Sequence, residues 1–366
     1  MLVAIINPAS GHRQASFFFD HHLRPLLPAI NHVFTTTAQG DAENFIHHLP
    51  DAPLTIVLLS GDGTLHEIIN ALPHRNISFV LVPCGTANAL YASLFPPAGL
   101  DKIEYKLQSV RAFLANAAPV HISLASASIA ATSSLASVVV STALHANILH
   151  HSESLRRSHP GIERFKIAAE QNSTKWYRAR ARILPVPGDR VQIYDPKSSA
   201  FIPHPDASPD LELDGPFAYF LSTVNVDRLE PHFRISPLAR IIAPPPSTCD
   251  IIVLRPLRDP QINDDSDDAR KTYVEKVWQV LGAAYQNGTH VNFTYETTTG
   301  EIQVNGDGPV VIEYFRAGGW EWFPDPQDED AHLVCADGAV HRISPGERAA
   351  CIIDQTPHTF SVYGPV

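Results

Sequence analysis

The sequence predicts an α/β N-terminal domain built on a parallel sheet, residues 1–119, followed by an antiparallel β-sandwich over residues 120–366. Three observations carry this. In the first third of the chain, apolar β-branched runs alternate with segments of helical spacing, which is the pattern of strands joined by crossovers. From about Val120, strand-like runs follow one another with little helix between them. Three strand ends in the first third carry short polar or glycine-containing turns, and open parallel sheets bind ligands beyond such ends.

The first strand is Leu2–Ile6, ending in Asn7-Pro8-Ala9-Ser10-Gly11. A helix is expected over 16–27, a strand over 32–36, and a helix over 41–49 with Asp41 at its start. Residues 55–59 form an apolar strand, and Ser60-Gly61-Asp62-Gly63-Thr64 a tight polar turn. Leu65, Ile68, Ile69 and Leu72 then repeat at helical spacing. Glycine lets backbone approach a ligand closely, and the free N–H groups of a helix start attract phosphate. Asp62, a carboxylate inside such a turn, is unfavourable beside phosphate unless it binds a metal or takes a proton. The next strand, 77–82, ends in Pro83-Cys84-Gly85-Thr86-Ala87-Asn88-Ala89-Leu90.

In the second domain, strands are expected at 121–125, 135–142, 177–184, 190–194, 218–226, 250–256, 291–295, 301–304 and 310–314. Helices are expected at 163–171 and 271–284, and residues 185–209, rich in proline, as a long loop. The run 264–268 (DDSDD) reads as a solvated turn before a helix. His145, His150 and His151 have no carboxylate or cysteine at ligand spacing and read as ordinary histidines.

Composition narrows the function. The 366 residues suffice for two cores, and 27 basic against 38 acidic residues give a formal charge of −11. That balance argues against a nucleic-acid partner. The four cysteines are far apart, so reduced thiols are expected rather than a disulfide framework. No apolar run is long enough to span a bilayer.

At SGDGTLHE the chain resembles the diacylglycerol kinase catalytic-domain superfamily, closest to its sphingosine kinase and ceramide kinase branch. NPASG and PCGTANALYASL match in order on either side, and HHSESLRRSHPGIERFK is similar to the branch's arginine-bearing segment. The resemblance implies ATP and Mg²⁺ in a cleft between an NAD kinase-like α/β domain and a β-sandwich. By it, Asn7 and Pro8 would line the nucleotide site, Thr36 to Gly40 would sit near adenosine, and Ser60, Gly61, Gly63 and Thr64 would meet phosphates. Asp62 would be the general base and would also meet substrate. Glu67, Gly85, Thr86 and Ala87 would contact the nucleotide, and Arg156 and Arg164 would grip phosphate oxygens. Asn305, Gly306 and Asp307 stand at the family's distal acidic turn, where Asp307 would reach the metal.

Two departures bear on the substrate. Asn147 and Leu149 stand where sphingosine kinases carry acids that meet the sphingoid head group, and neither pairs with an ammonium. Asn305 and Asp307 replace Asp and Glu at the distal turn. The resemblance implies an ATP-dependent kinase for a hydroxyl of a sphingoid-type or diacylglycerol-type lipid, cytoplasmic and in transient contact with a membrane surface. A catalytically silent nucleotide- or lipid-binding protein is the alternative from another class. NAD kinase, which shares the G-D-G-T turn, is a third reading.

Overall fold

The computed structural model describes residues 1–129, 132–159, 161–206, 208, 210–354 and 359–365. Pro160 of the arginine segment and Ala207 and Pro209 of the proline-rich loop lie outside these. The chain divides into two compact units. One holds Met1–Leu124, Leu229–Pro231 and the C-terminal return; the other holds Ala125–Arg228 and His232 onward.

The first unit is built on four parallel strands, β1 (Leu2–Ile6), β2 (His32–Thr35), β3 (Leu54–Ser60) and β4 (Ile77–Pro83), in the order β2-β1-β3-β4. Their Val, Ile and Leu side chains suit a sheet covered on both faces, and β3 is almost wholly buried. Around it lie α1 (Ala15–Phe18), α2 (Asp41–His47), α3 (Asp62–Ala71) and α4 (Ala89–Leu94). The helix expected over 16–27 is shorter: after α1 the chain widens into a π-turn, Phe19–Leu23, before Pro25 and Pro28. Helix α3 starts at Asp62 rather than Leu65, so the polar turn is itself the first helical turn.

The expected boundary placed everything after residue 119 in the second domain. Instead Phe360–Val362 returns to the first unit, parallel to β4, and Val120–His121 pairs antiparallel with it at the sheet's edge.

The second unit is antiparallel. An eight-stranded sheet runs in the order Ala200–Pro203, Gln192–Asp195, Glu313–Ala317, Cys249–Leu254, Tyr219–Thr223, Val139–Thr142, Leu333–Ala336, Ala339–Arg342. A six-stranded sheet runs Leu211–Asp214, Ala179–Leu184, Gly319–Pro324, Ala349–Ile353, Ala125–Ile129, Thr132–Ala136. The inner faces meet through aromatics. Trp320 and Trp322 alternate inward along their strand, Phe220 packs on both, and Trp320 Nε1 donates to Ser222 Oγ across the sheets at 2.9 Å. The strand expected over 135–142 is broken at Ser137-Val138, where Asp337 accepts from the N–H groups of Ser137, Val138 and Val139. A 13-residue helix, α5 (Ala143–Leu155), follows at once and packs on α6 (Glu163–Asn172). The acidic run opens α7 (Asp267–Tyr285), with Ser266 Oγ capping Ala269 N–H at 3.3 Å.

Candidate functional site

Three turns meet at the carboxyl ends of β1, β3 and β4. Asn7 joins the first to the second: its N–H donates to Leu59 O (3.1 Å) and its Nδ2 to Thr64 Oγ1 (3.2 Å). Its Oδ1 accepts from Ala9 N–H (3.1 Å), an Asx turn that fixes the Pro8 corner. Ser60 and Thr64 hydroxyls are 2.7 Å apart and both are buried. Ser60 O in turn accepts from Cys84 N–H (3.0 Å) and Gly85 N–H (3.2 Å), tying the second turn to the third. A Cβ at Gly11 would lie 2.4 Å from Cys84 O, so the first and third also touch.

Asp62 stands at this junction. Its Oδ2 accepts from Ala89 N–H (2.7 Å) and its Oδ1 from Leu90 N–H (3.2 Å). The carboxylate thus caps α4 from another helix, supplying an acceptor that Asn88, at the capping position, does not. Each carboxylate oxygen has a second lone pair, so this duty is compatible with receiving a proton.

Gly85 does a different job from the one the motif suggests. Its N–H is taken by Ser60 O and by Asn88 Oδ1 (2.9 Å), and its value lies in close approach rather than donation. The N–H groups of Thr86 and Ala87 make no hydrogen bond among the described residues and, with the first amides of α3, form the donor set an anion would meet. Asn88 was not singled out in the sequence. It adopts a left-handed conformation (φ 54°) and brackets Gly85, with Nδ2 donating to Gly85 O at 2.8 Å. The available signal was residue type, since Asn tolerates that region and bonds locally.

Thr36 is buried and its N–H donates to Ile6 O (2.9 Å), which sets the next loop beside β1. Asp41 Oδ2 then gathers Thr37 N–H (2.7 Å), Thr37 Oγ1 (2.7 Å) and Ala38 N–H (2.8 Å). These bonds, the Thr37 side chain first, hold its carboxyl below the usual range. Gly40 takes φ 83°, the left-handed region that glycine adopts without strain, and Glu67 lies on α3. Burial, the largest effect, pushes the Glu67 carboxyl up; the Gly40 N–H and His66 oppose it and Glu43 adds to it.

The remaining candidates lie in the second unit. Arg156 is exposed and pairs with Glu153. Arg164 is only 8 % exposed, its guanidinium stacks on Phe165 (4.5 Å), and its Nε has no partner among the described residues. Burial first, then Arg156, lowers its affinity for its proton, with Glu153 opposing. Asn147 is wholly buried, and Leu149 packs with Ala146, Leu333, Cys335 and Val340. Asn305 takes φ 54°, and Gly306 N–H donates to Thr294 Oγ1 (2.9 Å). Asp307 is fully exposed and paired with Lys197 at 2.7 Å. A lone exposed carboxylate that already holds an ammonium does not fit a protein-built Mg²⁺ site. Among the described residues no group of three or more His, Cys, Asp or Glu forms one.

The fold is an α/β domain on a parallel sheet followed by an antiparallel unit of two sheets. Residues 1–122 match the model of the diacylglycerol kinase catalytic domain. The chain is 26 % identical to sphingosine kinase 1 of Arabidopsis thaliana over 212 residues, 55 % of this chain and 43 % of that protein. It is 30 % identical to human sphingosine kinase 1 over 116 residues, 28 % and 29 % of the two chains. It is also 35 % identical to sphingoid long chain base kinase 5 of Saccharomyces cerevisiae over 104 residues, 25 % and 15 %. The matches thus span less than half the length of these relatives. A crystal structure of a diacylglycerol kinase from Bacillus anthracis superposes with a TM-score of 0.56 at 14 % identity, covering 99 % of this chain and 96 % of that one, a likeness of fold. Over residues 1–122 the chain is thus similar to the diacylglycerol kinase catalytic domain, in line with the resemblance read from the three turns.

Proposed function

We propose that the protein is an ATP-dependent lipid kinase that phosphorylates a hydroxyl. The observation that carries this is the junction of Asn7, Ser60, Gly61, Asp62 and Gly85, where three glycine-bearing turns are bonded into one surface around a single carboxylate. Phosphoryl transfer asks mainly for positioning and charge neutralisation. Amides of Thr86, Ala87 and the start of α3 supply donors for phosphate oxygens, and Arg164, whose Nε has no partner among the described residues, is a cation that the resemblance assigns to phosphate.

In the step itself, the acceptor oxygen attacks the γ-phosphorus, the bond from that phosphorus to the bridging oxygen of ADP breaks, and the hydroxyl proton passes to Asp62. The tie to Ala89 and Leu90 keeps that carboxylate in one rotamer, ready to accept. No described group holds a metal, so Mg²⁺ would arrive with the nucleotide. The acceptor is a neutral lipid alcohol of diacylglycerol type in preference to a charged sphingoid base: Asn147 and Leu149 bring no carboxylate to α5, whose first acid is Glu153. Such an acceptor implies transient contact with a membrane surface; no described helix is long and apolar enough to cross one.

A silent nucleotide-binding protein is the second reading, favoured by one observation: Asp62 already has a structural duty at α4. The test is phosphate transfer from ATP and Mg²⁺ to a panel of lipid alcohols. Wild type should transfer, and Asp62→Asn, which keeps a bond to Ala89, should fall by about 10²–10⁴. Nucleotide binding with no transfer to any acceptor establishes the silent reading.

A further inference from the structure

On the outer face of the six-stranded sheet, neighbouring strands line up a carboxylate, a guanidinium and a ring. Asp214, Arg180 and Phe323 are register partners, so their side chains share one face, opposite to Trp322. Opposite charges directly across a ladder ordinarily pair. Here they do not. Arg180 Nη1 reaches past Asp214 to Glu212 at 3.1 Å, and its guanidinium lies over the Phe323 ring at 4.7 Å. The Asp214 carboxylate is left with no hydrogen bond or ion pair among the described residues. Arg178 shows the converse. Its main chain is pinned, with N–H donating to Asp328 Oδ2 (2.7 Å) and O accepting from Asp325 N–H (2.9 Å). Its guanidinium makes no hydrogen bond among the described residues. Asp265 stands 3.6 Å from it, beyond hydrogen-bond reach, and already takes Arg270 Nε at 2.5 Å.

Both free groups line one cavity of about 400 Å³, within the size range of small-molecule pockets. Gly215 and Pro216 wall it beside Asp214, and a Cβ on Gly215 would stand 2.7 Å from Ala179 O, so that wall closes directly on the strand. Charge decides what fits. Glu212 balances Arg180 and Arg270 balances Asp265, which leaves Arg178 facing Asp214 and Asp325. A simple anion would meet two carboxylates there, and a simple cation would meet a guanidinium. A molecule with both charges suits each wall, its ammonium at Asp214 and Asp325 and its oxyanion in the Arg178 fork. Arg178 and Asp214 are diagonal neighbours across the ladder, about 7–8 Å apart, a span that a short alkyl chain bridges. Arg178, Arg180, Asp214, Asp265 and Asp325 make most of the lining charged, which favours a soluble molecule over an acyl chain. We propose that this cavity binds a small zwitterion, an ammonium and an oxyanion joined by a short alkyl chain. An amino acid and the phosphate monoester of an amino alcohol share that chemistry.

The test is isothermal titration of the full chain at low salt with β-alanine, O-phosphoethanolamine, propylamine and propionate. A zwitterion should bind about tenfold or more tighter than either single-charge probe, and added salt should weaken it. Binding of β-alanine marks an amino-acid site, and binding of O-phosphoethanolamine alone marks a phosphomonoester site. Asp214→Asn and Arg178→Gln change exposed side chains, so the fold is kept, and each should weaken binding about tenfold. Lys197→Gln, at the turn after Gln192–Asp195, should leave it unchanged. The proposal is overturned if neither zwitterion binds at about 10 mM. Propylamine or propionate binding as tightly as the zwitterions, or unchanged affinity in either cavity variant, overturns it equally.

Discussion

Gly61 and Gly85 meet backbone to backbone: a Cβ built on Gly85 would stand 2.5 Å from Gly61 Cα and 2.9 Å from Asn88 Oδ1. Neither neighbour can retreat, because Ser60 O and Asn88 Oδ1 both hold the Gly85 amide. Gly85→Ala should therefore force the second and third turns apart, at about 1–3 kcal/mol as in overpacked cores. Thermal unfolding should show the loss, and ATP affinity should fall at least tenfold. Gly282→Ala, in α7 and outside the proposed site, is the control, since a Cβ there meets nothing within 4 Å. Equal ATP affinity in both variants would remove the junction from the nucleotide site.

Arg164 separates structure from function. A buried guanidinium with an unsatisfied Nε contributes little to folding, whereas removing a partnered one is strongly destabilising. Arg164→Met keeps the apolar contact with Phe165 and removes the charge. Its melting temperature should equal or exceed that of wild type, while KM for ATP rises at least tenfold. A large loss of stability with unchanged KM would make Arg164 a scaffold residue.

Asp41, which holds Thr37 and Ala38, and Glu67 on α3 have opposite pH behaviour. Asp41 has its folded pKa lowered, so its contribution is present above the ordinary Asp range and is lost as pH falls through the folded value. Glu67 has its folded pKa raised, so the folded state binds the extra proton, and stability falls as pH climbs from the ordinary Glu range through the folded value. Denaturant midpoints between pH 3 and 7 should show Glu67→Gln removing the loss at the upper end. Asp41→Asn should remove the loss at the lower end. A Glu67→Gln profile parallel to wild type would refute the assignment.

Much of the first unit was legible because its signals are local. β1, β3 and β4 are short apolar runs, and the turns after them declare themselves by glycine and asparagine. What could not be read was set by distant partners. The capping of α4 by Asp62 joins residues 27 apart in sequence, and the return of Phe360–Val362 to β4 joins strands 283 apart. Helix α5 was missed because Ala143 to His151 follows a strand without a turn residue, and its polar Asn147 and His151 face inward. The strands from Gly319 onward escaped because Trp320 and Trp322 declare burial only against the facing sheet.

Two histidines of the sandwich should make the protein acid-labile. His290 is wholly buried with Nε2 on Ile235 O (3.1 Å), and His145 is partly buried with Nδ1 on Ser141 Oγ (2.7 Å). Burial pushes both down from 6.5 to about 4. A base with a depressed folded pKa leaves the unfolded chain binding more protons in that window. The stability is fully present above about pH 6.5 and drains away as pH falls towards 4. For His290 the loss is on the order of 2–3 kcal/mol. Urea midpoints at pH 7 and pH 4.5 measure it. His290→Gln preserves a donor at the Nε2 position and cannot titrate, so it should narrow the gap between the two midpoints, and His145→Asn should do the same from the Nδ1 side. An unchanged gap in the double variant would place the acid sensitivity elsewhere.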